Sequence, residues 1–570
     1  MTTAGVRAIR AAIAALVLSA LLLSSGPLAA AATRAADPGA HPGASVTDDA
    51  AALLAAVRHL QTTSRSARLG SAGEDAPCGV TSMQVVTSIS GTGLDTRISL
   101  TGSPRTFTLS SIPATWWANP PETSPVWRLY FQGLMWASPV VYAQDDPVVT
   151  SRVIDLAAQF VSANRDPGTS TRGWDEGTNL RREQQLNCLY SMTQDPRLVP
   201  AITMSVAANL DPKRYYGLPN SLPHNHGLMA NLALLESGRL LGKPAWRQTA
   251  ITRLMRDSAG AFTPSGVSIE QASDYWWANS IAWAAVADLL DEQGTREATS
   301  TAASIRTRLI TVRSALAYAT TPTGALVPYG DSNTAQHEPT PQRRGVFRDD
   351  AAGLITGRWT WSDPTTSFYL IRYGGRRWAH GHEDRGSIVW QTRGVPVLID
   401  PGKFSYDPGP YATFAKAPLA HATLIPRGKA TFVPSAAVTV STTRFSGPAH
   451  TVVLRDKQYG APHTRALVID NAARSLTVSD STTFARTTQT FQLDGGWAVR
   501  ARSADRKTAR FTHAATGRTL TVRSTYPLAL YRGSTSPVLG WNFLTYGHRY
   551  PTYQVLVYGG TAVRTVFAVS

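Results

Sequence analysis

His380, His382 and Asp384 stand at alternate positions in Trp378-Ala379-His380-Gly381-His382-Glu383-Asp384, and Asp400, Tyr406, Tyr411 and His421 follow within the same stretch. Imidazole and carboxylate side chains at this density can hold a metal or pass a proton. In an extended segment alternate side chains share a face, so the first three are expected to point the same way. Ionisable groups on one face of an otherwise apolar segment are costly to bury unless they are used. Two readings stay open at this point: a solvated strand end, or a site holding a metal, a proton-transfer group, or both. The flanking runs Ser387 to Trp390 and Val395 to Ile399 read as strands, the second ending on Asp400-Pro401-Gly402.

A second polar cluster, Pro223-His224-Asn225-His226-Gly227, comes just before an apolar helical run that reaches Leu235. A helix N-terminus offers free N–H groups and partial positive charge, which suits an anionic ligand. The alternative is that Asn225 only caps the helix. Further on lies Gly266-Val267-Ser268-Ile269-Glu270-Gln271-Ala272-Ser273-Asp274-Tyr275-Trp276-Trp277. On its own, Tyr275 would read as a packed aromatic.

The elements that must position these residues come in two kinds. Between about 113 and 340 the apolar period is helical, in Val148 to Ser162, Thr178 to Tyr190, Gly227 to Glu236, Ala245 to Met255, Ser280 to Leu290 and Thr301 to Tyr318. Gly- and Pro-containing breaks separate them, which fits antiparallel helix pairs in a solenoid or closed toroid. From 341 to 570 the pattern turns to short strands, among them Thr451 to Leu454, Ser475 to Val478, Arg510 to Phe511, Thr519 to Val522 and Val555 to Val557. These predict stacked antiparallel sheets. Residues 79–112 predict a small β-layer, from the Thr-rich runs Gln84 to Ser90 and Thr96 to Leu100. Residues 33–78 read as a linker and N-terminal segment.

At 570 residues the chain needs two or three cores. Arg7 and Arg10, the apolar run Ala11 to Leu23 and the small residues Ala29 to Ala32 form a secretory signal pattern over 1–32. No other stretch could span a bilayer, so a secreted, extracellular protein is expected. Cys78 and Cys188 are the two cysteines, enough for one bridge and too few for a disulfide scaffold. The net charge of +17 favours a polyanionic partner. The arginines are dispersed and no nucleic-acid module is visible, so an acidic polysaccharide comes ahead of nucleic acid. The 15 tryptophans are mostly core, with some left over as platforms for sugar rings.

Taken together, Asn225-His226, Glu270 to Tyr275, Gly330-Asp331-Ser332, His380 to Asp384, Asp400-Pro401-Gly402 and His421 resemble, in order, the motifs of the heparinase II/III-like polysaccharide lyases and the related alginate lyases. Trp174-Asp175-Glu176-Gly177 with Arg181 and Arg182 is similar to a toroid helix of that family. The Glu270 to Tyr275 spacing, Ala422 after His421 and Arg385 depart from the usual pattern. The resemblance implies a multidomain α + β fold, an N-terminal (α/α) toroid of helix pairs followed by an antiparallel β-sandwich. It also implies β-elimination on a uronic-acid polysaccharide: the C5 proton is removed and the 4-linked sugar leaves.

That chemistry requires the uronate carboxylate to be neutralised, and Asn225 supported by His226 is the candidate. The resemblance makes Tyr275 the proton donor to the leaving oxygen, with the base role open to it. It makes His380 the base or the group that prepares Tyr275. Arg182, Glu270, Trp276 and Tyr406 are candidate substrate contacts. His382, Asp400 and His421 match a metal site in some relatives, and their N and O donors suit a structural Zn²⁺; the alternative is a hydrogen-bond network. Two other functions compete. A toroid glycoside hydrolase would draft Glu270, Asp274 and Glu176 as its carboxylates, and a non-catalytic exported protein would only bind the polymer.

Overall fold

The computed structural model describes residues 85–164, 172–333, 335–336, 341–428 and 431–570. The signal pattern, the linker, Cys78, the start of the expected β-layer and the expected boundary at 340 lie outside them. A three-stranded antiparallel sheet, Val86–Ser90, Arg97–Leu100 and Thr106–Thr108, precedes the helices.

Each helix predicted from the apolar period is present and slightly longer: Pro147–Ala163, Glu176–Thr193, Asn225–Leu240, Pro244–Asp257, Ser273–Glu292 and Arg296–Ala319. Local chemistry sets several of the starts. Asp146 accepts from the Val148 N–H at 2.7 Å with Pro147 in the first turn, and Thr295 accepts from the Ala298 N–H at 3.2 Å. Three further helices, Pro125–Gln132, Ala137–Gln144 and Val199–Leu210, were not expected from the sequence; the first two are eight residues each, too short for a helical period to stand out. Glu176–Thr193, Asn225–Leu240 and Ser273–Glu292 bury residues around most of their circumference and form the inner layer. Pro244–Asp257 and Arg296–Ala319 bury a single stripe and pack outside them. The result is the (α/α) toroid. No helix among the described residues is long and apolar enough to cross a membrane.

The second half is antiparallel throughout. A five-stranded sheet runs in the spatial order Val395–Leu398, Ile388–Thr392, Phe368–Arg372, Leu354–Arg358 and Val346–Asp349. An eight-stranded sheet contains Ala449–Asp456, His463–Asp470, Ser475–Thr482, Thr508–His513 and Thr519–Ser524, with Ala562–Val569 between the last strand and Ser475–Thr482. A four-stranded sheet contains Tyr553–Gly559. Alternate positions such as Val452, Leu454, Leu467, Ile469, Leu476 and Val478 point inward to a shared core with Trp390, Phe491 and Phe567. The toroid's core continues into this half through Leu354, Phe368 and Leu370, so the two halves share apolar packing.

Polar contacts fix the junction. Ser332 Oγ accepts from the Asp274 N–H at 3.1 Å, and Asp274 Oδ2 accepts from the Asn333 N–H at 3.0 Å. The Asn333 carboxamide donates to the carbonyls of Lys403 at 2.9 Å and Phe543 at 2.7 Å. Burial pushes the Asp274 carboxyl up to about 7, against the opposing pull of the Asn333 N–H and the Lys403 charge. These bonds begin helix Ser273–Glu292 about two turns before the apolar run from Ser280, which places Tyr275 in the first turn.

Candidate active site and metal site

The segment from Gly374 to Ser387 is not a strand, and His380, His382 and Asp384 do not share a face. The alternation expected from the sequence fails because Ala379 takes a left-handed backbone, φ 45°, and turns the chain. The two histidines instead part around one carboxylate. Asp331 places Oδ2 3.4 Å from His380 Nδ1 and Oδ1 3.0 Å from His382 Nε2. These contacts, with the Lys416 charge at 3.4 Å, hold the Asp331 carboxyl well below its usual range despite its burial. Asp384 pairs with Arg372 at 3.3 Å.

Asp331 is held in place by the backbone. Its N–H donates to the His380 carbonyl at 2.7 Å, and the His380 N–H donates to the Glu270 carbonyl at 3.1 Å. Gly330 has φ 66°, and a Cβ there would lie 2.3 Å from the Gln271 carbonyl oxygen, so a side chain is excluded. The Gly330-Asp331-Ser332 motif is therefore the joint that registers the two histidines against the toroid. The sequence motif pointed to these residues without giving Asp331 a role.

His380 reaches across to the helices. Its ring stacks on Tyr275, centroids 3.4 Å apart and planes 6° from parallel. Its Nε2 lies 3.3 Å from Asn225 Oδ1 and 3.4 Å from Glu270 Oε2, and its Nδ1 lies 3.4 Å from the Tyr406 hydroxyl. A carboxylate thus lies near each ring nitrogen, Glu270 at Nε2 and Asp331 at Nδ1. Tyr275 is fully buried, and its hydroxyl meets that of Tyr406 at 2.6 Å. The ammonium groups of Lys403 and Lys416 lie 4.1 and 5.5 Å from the Tyr406 ring, placing positive charge beside the phenol pair.

Asn225 is not the helix cap. His224 is: its Nδ1 accepts from the His226 N–H at 3.1 Å. That frees the buried Asn225 carboxamide, whose Nδ2 has no hydrogen-bond partner. An unmatched buried amide donor is unusual enough to call for a ligand. His226, one residue on, turns its Nδ1 to Glu176 Oε1 at 2.7 Å.

Two of the expected substrate contacts are not at the site. The Arg182 guanidinium is buried inside the toroid, donating to the Gln132 carbonyl at 3.1 Å, the Gly173 carbonyl at 2.7 Å and Asn179 Oδ1 at 3.0 Å. It lies against the Phe160 and Trp174 rings, and burial lowers it to about 9. Trp276 is also buried, its indole N–H donating to the Gly266 carbonyl at 2.9 Å. Both are placed by helix periodicity: neighbours of a functional side chain on a helix face other directions. Glu270 and Tyr406 are at the site. Glu270 Oε1 accepts from Asn279 at 2.6 Å, and Asp274 is committed to the junction.

His382, Asp400 and His421 converge, one donor atom of each lying within 4.8 Å of the others. All three are buried. Asp331 faces His382 Nε2, and Asp400 Oδ2 faces His421 Nδ1 at 2.9 Å. His382 Nδ1 and His421 Nε2 are left buried with no hydrogen-bond partner. Imidazoles held by carboxylates at one nitrogen and unsatisfied at the other fit a metal site. The donor set of two imidazoles and a carboxylate suits a tetrahedral N/O-binding divalent ion with one open position.

Residues 369–567 match the family model described as Heparinase II/III-like, C-terminal. No protein of curated function matches the chain by sequence. Among solved structures, a heparinase III superposes with a TM-score of 0.67 at 14% identity, covering 95% of this chain and 87% of that one. Another heparinase III gives 0.57 at 14% identity, covering 80% of each chain. A mutant of the heparan sulfate lyase HepC from Pedobacter heparinus gives 0.55 at 14% identity, covering 92% of this chain and 88% of that one. Identities this low speak for the fold, which is a toroid followed by a sandwich in register with the heparinase III structures. The sandwich half thus matches the heparinase II/III-like C-terminal domain, and the chain as a whole shares the fold of the heparinase III structures.

Proposed function

We propose that this chain is a secreted lyase that cleaves a uronic-acid polysaccharide by β-elimination and leaves an unsaturated uronate end. The observation that carries the proposal is the buried Asn225 carboxamide, its Nδ2 unpartnered and its Oδ1 against His380, beside the stacked Tyr275. The C5 proton is weakly acidic while the neighbouring carboxylate keeps its charge. Donors aimed at that carboxylate give the largest catalytic contribution, and Asn225 with His226 supplies them.

The hydrogen-bonded pair Tyr275–Tyr406 is the proton-transfer device, contributing on the order of 10²–10⁴-fold. Tyr275 gives the proton to the leaving oxygen. Tyr406, partly exposed and bonded to it, links the pair to the cleft. His380 lies between Glu270 and Asp331, so its part is to prepare and charge-balance the phenols. The pair takes the C5 proton on one oxygen and returns a proton to the glycosidic oxygen, so the elimination balances and consumes no water. His382, Asp400 and His421 would hold a Zn²⁺, which when bound braces the loop carrying His380 and supplies local positive charge.

An acidic polymer suits the chain's +17 charge, and the signal pattern suits an extracellular substrate. The test is incubation of the purified protein with heparan sulfate, alginate and hyaluronan while ultraviolet absorbance is followed. Absorbing oligosaccharides from at least one polymer are expected. New reducing ends without absorbance would show hydrolysis, and binding without cleavage would leave a carbohydrate-binding protein.

A further inference from the structure

Glu176 and His226 come from helices far apart in the chain, and both lie in the first turn of their helix. Glu176 opens Glu176–Thr193, and His226 is the second residue of Asn225–Leu240. Their side chains meet at 2.7 Å, Oε1 to Nδ1, and keep 26% and 19% of their surface exposed. The pair is therefore part-buried beside Asn225, with His226 Nε2 on its buried side, whereas the Asp331–His382 and Asp400–His421 contacts are sealed throughout.

The geometry is held from several sides. His224 caps the helix by accepting the His226 N–H, which fixes the backbone under the imidazole. A Cβ at Gly227 would lie 1.7 Å from the Tyr216 carbonyl oxygen, so that loop packs directly on the first turn. The loop is anchored in turn by the buried Tyr215 hydroxyl, which donates to Asp257 and accepts from Asn231. Among the groups facing His226 are Glu176, the His224 ring at 4.8 Å and the Tyr216 ring at 6.4 Å. Behind Glu176 lie the charges of Arg181 and Asp175, the latter felt by Tyr216. The Glu176 carboxylate is in hydrogen-bond contact with the ring. Burial raises the Glu176 carboxyl, but its bond and charge interaction with His226, together with the Gly177 N–H and the Arg181 charge, leave it below the usual range.

We propose that Glu176 is a positioning residue that holds His226 doubly protonated, so that its Nε2–H, with the Asn225 amide, receives the charged carboxylate of an unesterified uronate. The assignment rests on the lyase activity proposed above. A neutral His226 donating Nδ1–H to Glu176 would present a lone pair at Nε2 and repel a carboxylate. A cationic one presents a donor and a full charge. Glu176 thus selects for free uronate over its methyl ester, which carries no charge for the imidazolium to meet.

The first test needs no substrate. In full-length protein labelled at its histidine rings, with the His226 resonance assigned through His226→Gln, the ring titrates above its ordinary value near 6.5. In Glu176→Gln its midpoint falls by about one unit or more. A wild-type midpoint at or below 6.5, or one that Glu176→Gln does not move, overturns the proposal even if the variant folds poorly. The second test uses whichever of heparan sulfate, alginate and hyaluronan the wild type cleaves. The alkaline limb of kcat/KM should shift to lower pH by the same amount in Glu176→Gln, and the preference for the polymer over its carboxyl methyl ester should shrink by about tenfold. An unmoved limb with the preference intact refutes the role of Glu176. If the wild type yields no unsaturated product from any of the three polymers, it is the lyase activity that fails, and the ring titration still reports on the pair.

Discussion

Replacing Tyr275 with Phe removes one oxygen from a fully buried ring. The stack on His380, with centroids 3.4 Å apart, should persist because the ring keeps its shape and its place in the first turn of its helix. What is lost is the 2.6 Å hydrogen bond to Tyr406, whose own hydroxyl is partly exposed and can turn to water. A net cost of about 1 kcal/mol in stability follows, which for a protein of this size is a shift of at most about 2–4 °C in Tm. Loss of the proton donor should cost turnover at least ~10²-fold, or about 2.7 kcal/mol at the transition state. The effect on catalysis is thus more than twice the effect on folding, and the two separate cleanly. Turnover is read as ultraviolet absorbance on the polymer that the wild type cleaves, and folding from a thermal melt. A folded Tyr275→Phe protein with near wild-type turnover would mean that the phenol pair does not carry the proton.

Arg182→Leu should leave KM of the folded fraction unchanged but destabilise the toroid by about 3–5 kcal/mol, because it strands buried carbonyls and the adjacent buried Glu183; a raised KM at normal stability would return Arg182 to the substrate site. Elemental analysis of protein purified without chelators should find about one zinc per chain, lost in His421→Ala; metal in neither would reduce His382, Asp400 and His421 to a hydrogen-bond network. His463 lies between Asp456 at 2.7 Å and Asp480 at 2.8 Å, and despite its burial their bonds raise it to about 9. Its folded value exceeds the unfolded one near 6.5, so the stabilisation is complete below about pH 6.5 and is lost as pH rises through about 9. In urea titrations the advantage of wild type over His463→Gln should therefore shrink by on the order of 3 kcal/mol between pH 6 and pH 10; a constant gap would show that His463 is neutral in the folded protein.

The fold class was legible in the sequence because each half repeats one period many times. Helices such as Pro147–Ala163 and Arg296–Ala319 carry an apolar stripe, and strands such as Ala449–Asp456 alternate, so burial writes itself into residue order. The candidate residues could be picked out too, since Asn225, His380 and the trio His382, Asp400 and His421 sit in short polar motifs that a core would not tolerate without use. Direction was not legible. Arg182 and Trp276 adjoin functional positions in sequence yet point into the toroid, because a helix turns each successive side chain by about 100° and packing alone decides which one meets the cleft. His380 and His382 were expected on one face, but the left-handed turn at Ala379 sends one to Tyr275 and the other to Asp400 and His421. The pairings that organise the site join residues 50 or more apart, as with Asp331 and His382 or Glu176 and His226. No local pattern records such contacts, because they exist only once the toroid has closed and the sandwich has docked against it.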